Sequence, residues 1–332
     1  MKPTDETNTP RYVVVGASGL VGETLLAVLE ARRFAANRLA LVASRRSSGR
    51  TVPYLGHELV IEALDEFRFQ PGDVAFFAAT GDLSRSEAPK VLEAGGRVID
   101  KSSTFRADPD VPLVVPAVNG RLLDGGPRLV ASPNCSTIGV VHALEPLHRL
   151  AGLKAVTITT LQAASGAGRD ALDALEAERA GRLGGPSPFA ARLADNVVPL
   201  CGELDEAGYA TEERKLAHEL RRIMELPELA VEATCIRVPV TVGHTASLRV
   251  RLERDVSLSE VRDALASFEE VVVTDRCPTP MAVAGSDQVH VGRLRRAANG
   301  DWLLVQTADN LRRGAATNAL DCAERLLRPR TG

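Results

Sequence analysis

VVVGASGLVG, running from Val13 to Gly22, joins a short β-branched run to a segment, Leu20 to Arg32, whose apolar residues recur at helical spacing. That order predicts a strand, a turn and a helix. Gly16, Gly19 and Gly22 stand where a tight turn, close approach of a diphosphate and close helix packing each exclude a Cβ. The helix start also offers N–H groups to phosphate oxygens. Gly16, Ser18, Gly19, Leu20 and Val21 are therefore expected to touch a dinucleotide, with a purely structural turn as the competing reading.

Outward from this stretch, strand-like runs recur at Leu39 to Ala43, Asp73 to Ala78, Arg97 to Asp100 and Arg128 to Ala131, with a helical segment from Leu83 to Ala94. Such alternation predicts an α/β fold with parallel strands joined by crossovers. The strand ending at Ala43 runs into LVASRRSSGR, Leu41 to Arg50. An NAD site usually has a carboxylate here for the ribose hydroxyls, whereas Ser44, Arg46 and Ser47 suit a 2′-phosphate. NADP is expected over NAD, the competing reading being an ordinary solvated loop.

Beyond about residue 150, Ala155 to Gln162, Val231 to Val240 and Ala246 to Glu253 predict longer strands, several of them alternating, as in an antiparallel sheet with one face under helices. Gly184 to Pro199 reads as a surface excursion, Trp302 to Thr307 as a last strand and Asn310 to Leu327 as a final helix.

The 332 residues are 45% hydrophobic, enough for two domains, and carry a net charge of −3 with no basic stripe, which argues against nucleic acid. The five cysteines have neither disulfide nor zinc-ligand spacing, so no metal is expected. Neither a long apolar run nor a signal-peptide pattern is present, which suggests a reducing, cytoplasmic setting without a membrane. Cys135, in ASPNCSTIGV, falls at the start of a predicted helix, Ser136 to Leu150, where partial positive charge favours a thiolate. Taken alone, a buried core cysteine explains it equally well.

Six blocks in one order carry the reading further: GASGLVG, FRADPDVPLVVP (Phe105 to Pro116), SPNCSTI, ASGAG (Ala164 to Gly168), RVPVTVGH (Arg237 to His244) and ADNLRRGAATN (Ala308 to Asn318). With them the chain resembles the aspartate-semialdehyde dehydrogenase family over nearly its whole length. The resemblance implies an N-terminal Rossmann-like NADP-binding domain, residues 1–134, completed by a C-terminal helix, residues 310–330. It implies a C-terminal α+β catalytic and dimerisation domain, residues 135–309, in a homodimer or a pair of dimers.

The implied reaction is NADPH-dependent reduction of L-aspartyl-4-phosphate to L-aspartate 4-semialdehyde and inorganic phosphate, leading to lysine, threonine, methionine and isoleucine. Cys135 would displace phosphate to form a thioester, which hydride from NADPH reduces through a thiohemiacetal. His244 would be the general acid/base, with a pKa near the working pH. Gln162 would position the substrate, Arg237 grip its carboxylate and Glu212 face its ammonium. Arg106 and Lys215 would bind phosphate, while Ser165, Gly166 and Asn310 would touch the cofactor.

Without the resemblance, Glu212 and Lys215 read as a surface charge run, and Gln162 as a solvated strand end. Lys101, Ala117, Thr245 and Ala246 depart from the family pattern. They leave two alternatives: a divergent paralogue reducing a related acyl phosphate, or a non-catalytic NADP-binding protein.

Overall fold

The computed structural model describes residues 10–182 and 184–328. Within them the chain forms two compact units: one takes in the chain up to Pro116, Gly120–Pro133 and the chain from Ala316, the other Ala117–Asn119 and Asn134–Ala315. In chain order the elements are β1 (Tyr12–Val15), α1 (Leu20–Ala31), β2 (Leu39–Ala43), β3 (Thr51–Tyr54), β4 (His57–Ala63), β5 (Val74–Phe77), α2 (Gly81–Glu93) and β6 (Arg97–Asp100). Next come α3 (Pro116–Asn119), β7 (Leu129–Ala131), α4 (Cys135–Ala151), β8 (Leu153–Gln162), α5 (Arg169–Arg179), α6 (Thr211–Ile223), β9 (Ala230–Arg237) and β10 (His244–Leu252). The chain ends with α7 (Leu258–Ala266), β11 (Val271–Val273), α8 (Pro280–Val283), β12 (Val289–Arg296), β13 (Trp302–Ala308) and α9 (Asn318–Leu326).

In the first unit the strand order is β3-β4-β2-β1-β5-β6-β7, and every pairing is parallel except that of β3 with β4. β1 is buried on both faces, as a central parallel strand must be. Tyr12 and Val14 join one core with Leu25 and Leu29 of α1 and Leu320 and Ala323 of α9. Val13 and Val15 join the opposite core with Val91 of α2. The predicted strand, turn and helix are therefore present, with helices on both faces of a parallel sheet.

The β3–β4 hairpin is not evident in the sequence. Its turn residues Leu55 and Gly56 both have positive φ, 48° and 79°, as a two-residue hairpin turn of this kind requires. Leucine is an uncommon residue there, so the usual Asn-Gly signal is missing.

The second unit holds a sheet of order β11-β12-β13-β10-β8-β9. It is mixed where an antiparallel sheet was expected: β8 pairs with β9, and β11 with β12, in parallel. The reason lies in the connections, because α5 and α6 separate β8 from β9 and give the chain the length to return in the same direction. The helix α4 packs against β8, β10, β12 and β13 and covers one face.

Two further expectations need correction. Gly184 to Pro199 is more than a surface excursion, because Leu193, Ala194 and Val198 are buried in a cluster with Leu175. The Glu178 carboxylate accepts the N–H groups of Leu193 and Ala194 at 2.8 Å each, and Val198 bridges to Arg237. The final helix is not continuous from Asn310: a π-helical stretch, Arg312–Thr317, precedes α9. The Asp309 carboxylate accepts from the Leu311 and Arg312 N–H groups, and the Asp309 carbonyl accepts from Gly314, five residues on. No helix among the described residues is long and apolar enough to cross a membrane.

The glycine loop is packed against backbone. A Cβ on Gly22 would lie 2.3 Å from the Gly16 carbonyl oxygen and 2.8 Å from Ala17 Cα, so α1 could keep its place only by moving the loop. Gly22→Ala is expected to cost about 2 kcal/mol of stability, in the range of roughly 1–3 kcal/mol for overpacking. The midpoint of urea unfolding measures it; an unchanged midpoint would contradict this packing.

Candidate active site

Cys135 is the first residue of α4, and the residue before it fixes that helix start. The Asn134 side chain accepts from the Ser136 N–H at 2.8 Å, capping the helix. Its amide donates to the Glu212 carboxylate at 2.6 Å, and its backbone N–H donates to the Glu219 carboxylate at 2.7 Å. Glu212 and Glu219, seven residues apart on one face of α6, thus hold the peptide that carries the cysteine. Cys135 remains half-buried.

Three neighbouring strand ends bring polar side chains to one edge of the sheet. Gln162 ends β8 opposite Arg237, which ends β9, and His244 begins the antiparallel β10 on the other side of β8. His244 Nε2 lies 3.3 Å from Cys135 Sγ. Arg237 Nη1 donates to the Ala163 carbonyl at 2.6 Å, while the Ala163 N–H donates to His244 Nδ1 at 3.0 Å. Gly166 leaves room for both groups: a Cβ there would meet His244 Nε2 at 2.9 Å and Arg237 Nη1 at 3.1 Å. Gln162 is buried, its amide donating to Thr160 Oγ1 at 3.2 Å, which rules out a solvated strand end.

Burial pushes the His244 imidazole down to about 3; the Arg237 guanidinium lowers it further and the Gly243 carbonyl pulls the other way. This corrects the expectation of a pKa near the working pH: His244 is neutral across the neutral range. His142, enclosed in α4, is likewise pushed down to about 3, first by burial and then by Arg313. Among the other cysteines, burial pushes Cys201 up to about 11 and Cys235 to about 12, and raises Cys322. Cys277 is exposed.

The remaining expected residues are distributed over the two units. In the second unit Lys215 Nζ and Glu212 Oε1 form an ion pair at 2.9 Å, so the charge run on α6 is an ordered pair beside the cap. Ser165 and Asn310 are buried and hydrogen-bonded to each other at 3.0 Å, and Asn310 also accepts the Gly243 N–H at 2.8 Å. In the first unit buried Arg106 donates to the Lys101 carbonyl at 2.7 Å. The Lys101 ammonium donates to Ser132 Oγ and the Pro133 carbonyl at 3.2 and 3.0 Å.

The glycine loop fits a dinucleotide. Gly16 has φ +88° and no room for a Cβ, which would lie 2.5 Å from the Ala78 carbonyl oxygen. Gly19 caps α1 without a side-chain hydrogen bond, which leaves the first-turn N–H groups for a diphosphate. At the end of β2, Arg45 is paired with Asp65 and Glu66, whereas Arg46 is exposed and makes no ion pair among the described residues. Ser44 is exposed and Ser47 buried in the same loop.

Sequence reasoning missed Asn134, Glu219 and the backbone of Ala163. An asparagine just before a predicted helix is a strong capping signal and could have been used. Glu219 and Ala163 carry no such mark, because their partners are 85 and 81 residues away in sequence.

Comparison with known proteins agrees with the fold. Residues 11–125 match the family model described as the NAD binding domain of semialdehyde dehydrogenase, and residues 144–313 match its dimerisation domain. An aspartate-semialdehyde dehydrogenase of Aquifex aeolicus is 41% identical, covering 96% of this chain and 98% of its own. One from Bacillus subtilis is 37% identical, covering 94% and 96%. Aspartate semialdehyde dehydrogenase II of Vibrio cholerae, solved as a complex with ASA, superposes with a TM-score of 0.93 at 36% identity over 97% of this chain and 100% of that one. The enzyme of Candida albicans, solved with NADP, superposes at 0.74 and 26% identity over 96% and 98%. The first unit is accordingly a domain for a nicotinamide cofactor.

The two buried histidines give stability a definite pH dependence. Each imidazole titrates near 6.5 when unfolded and near 3 when folded, so the unfolded chain binds the extra protons as pH falls. Their contribution is intact above about 6.5 and is lost progressively toward 3. Between pH 6 and 4, His142→Leu is expected to flatten the dependence of unfolding free energy on pH by about one proton. Urea unfolding of both proteins at several pH values measures this, and equal slopes would contradict it.

Proposed function

Because the chain belongs to the aspartate-semialdehyde dehydrogenase family, we propose that it reduces L-aspartyl-4-phosphate to L-aspartate 4-semialdehyde and inorganic phosphate with NADPH, through a thioester on Cys135. The observation that carries this reading is the 3.3 Å approach of Cys135 Sγ to His244 Nε2 at a capped helix start. Positive charge at the head of α4 and the nearby imidazole both favour an anionic, nucleophilic sulfur.

In the proposed sequence the Cys135 sulfur attacks the acyl carbon, an S–C bond forms, and the bond to the phosphate oxygen breaks. When bound, NADPH supplies the hydride that takes the thioester to the aldehyde level; release of the aldehyde returns the sulfur. Gln162 orients the acyl group from the end of β8. Arg237, with one guanidinium nitrogen already fixed on the Ala163 carbonyl, grips the substrate carboxylate. Glu212 faces the substrate ammonium, and its partner Lys215 is assigned to phosphate, as is Arg106 of the first unit.

For the cofactor, Gly16, Ser18, Gly19, Leu20 and Val21 take the diphosphate, and Ser44, Arg46 and Ser47 the 2′-phosphate. Arg46, which makes no ion pair among the described residues, and the serines that stand at the end of β2 in place of a carboxylate favour NADP over NAD. Gly166 is assigned to the nicotinamide side, with Ser165 and Asn310 shaping that loop through their mutual hydrogen bond. The product belongs to the supply of lysine, threonine, methionine and isoleucine, made in the cytoplasm by a homodimer.

The test is absorbance at the NADPH wavelength with L-aspartate 4-semialdehyde, phosphate and NADP⁺. NADPH formation that requires phosphate and falls about a thousand-fold or more in Cys135→Ala is expected. Silence from a folded native protein that binds NADP⁺ would contradict the proposal.

A further inference from the structure

Cys135 has a second close neighbour, the main chain of Gly314. A Cβ on Gly314 would lie 3.0 Å from Cys135 Cβ and 3.3 Å from both Cys135 Cα and the Cys135 carbonyl oxygen. Carbon atoms in contact sit about 3.5–4.0 Å apart, so the head of α4 fills the space where a side chain at 314 would begin. Gly314 is not among the glycines with positive φ, so conformation does not demand a glycine there. Space does.

A π-helical turn brings Gly314 to this place. The Asp309 carbonyl accepts the Gly314 N–H at 3.0 Å, five residues on, where an α-helix would close on Arg313. One residue fewer in the turn would rotate the stretch by roughly 100° and turn Gly314 away from Cys135. Its neighbours Arg313 and Ala315 both carry a Cβ. Buried Asp309 holds the turn from below: Oδ1 accepts the N–H groups of Leu311 and Arg312 at 2.9 and 3.0 Å, and Oδ2 accepts that of Gly285 at 2.8 Å. The Arg312 guanidinium grips the same loop, with two bonds of 3.0 Å to the Asp287 carboxylate.

We propose, on the reading of Cys135 as nucleophile, that Gly314 and Asp309 are positioning residues for its sulfur: the π turn is a back wall that fixes Cys135 Cβ and thereby the 3.3 Å approach of Sγ to His244 Nε2. With Cα and Cβ fixed, only χ1 and its staggered positions remain to the sulfur. The sulfur and the hydride must meet the same acyl carbon, and a misplacement of about 1 Å costs on the order of a hundredfold in rate. Close packing that served stability alone would leave the sulfur's reactivity untouched in a folded variant.

Gly314→Ala separates the two roles. Alkylation of Cys135 by iodoacetamide is expected to slow about fivefold or more, with exposed Cys277 unchanged and buried Cys201 and Cys235 still protected. The kcat for NADPH formation is expected to fall about thirtyfold, with KM for the aldehyde within about twofold of native. A folded variant with native kcat and native Cys135 alkylation overturns the inference, as does a change confined to KM.

If Gly314→Ala does not fold, which reactive Cys201 and Cys235 would reveal, Asp309→Ala decides. Its kcat and its Cys135 alkylation are expected to drop together. Asp309→Asn, which keeps an oxygen for the Leu311 and Arg312 N–H groups, is expected to restore most of both. Native rates in Asp309→Ala overturn the inference. A native protein without turnover rejects the proposed reaction, while the alkylation rates still decide the role of the π turn.

Discussion

The 3.3 Å approach of Cys135 Sγ to His244 Nε2 is the constraint on which the proposed chemistry depends. It requires two separate pieces of construction to agree. The sulfur's position follows from the Asn134 cap and from the two α6 carboxylates that hold that residue. The imidazole's position follows from the register of β10 against β8, which sets His244 next to the ends of β8 and β9. A slip of one residue in that register would turn His244 to the other face of the sheet. Gln162, Arg237 and Ala163 are each bonded to a near neighbour.

The first unit answers a different demand, that of a nicotinamide cofactor. Gly16 and Gly22 have no space for a Cβ, and the end of β2 presents serine and arginine where a carboxylate would select NAD. Lys101 illustrates how a departure from the family pattern can be absorbed locally. Its ammonium is tied to Ser132 Oγ and the Pro133 carbonyl, where it braces the chain two residues before the cysteine. Ala246 is buried in the sheet, and the Thr245 hydroxyl is bonded to that of Thr307. Ala117 offers its carbonyl to Arg149.

Much of this was legible in the sequence because it rests on local rules. Leu39 to Ala43 is the strand predicted, since a fully buried parallel strand reads as an unbroken apolar run. The glycine loop was readable because only glycine meets the sterics at Gly16 and Gly22. What escaped depends on contacts remote in sequence or on backbone atoms. The hairpin turn at Leu55 lacks the usual residues, the parallel pairing of β8 with β9 depends on a long crossover, and the π-helical stretch begins from Asp309. The neutral state of His244 follows from burial and from Arg237, neither of which a histidine in a motif reveals.

The central claim, that the fold singles out one thiol for nucleophilic work, is tested most directly by the alkylation rate of each cysteine under iodoacetamide, resolved by peptide mass spectrometry at pH 6 to 7. Cys135 is expected to react first, ahead of the exposed Cys277, with Cys201, Cys235 and Cys322 protected by burial. If Cys277 reacted first while Cys135 stayed unmodified in the folded protein, the sulfur would be an ordinary thiol and the account of the site would be wrong.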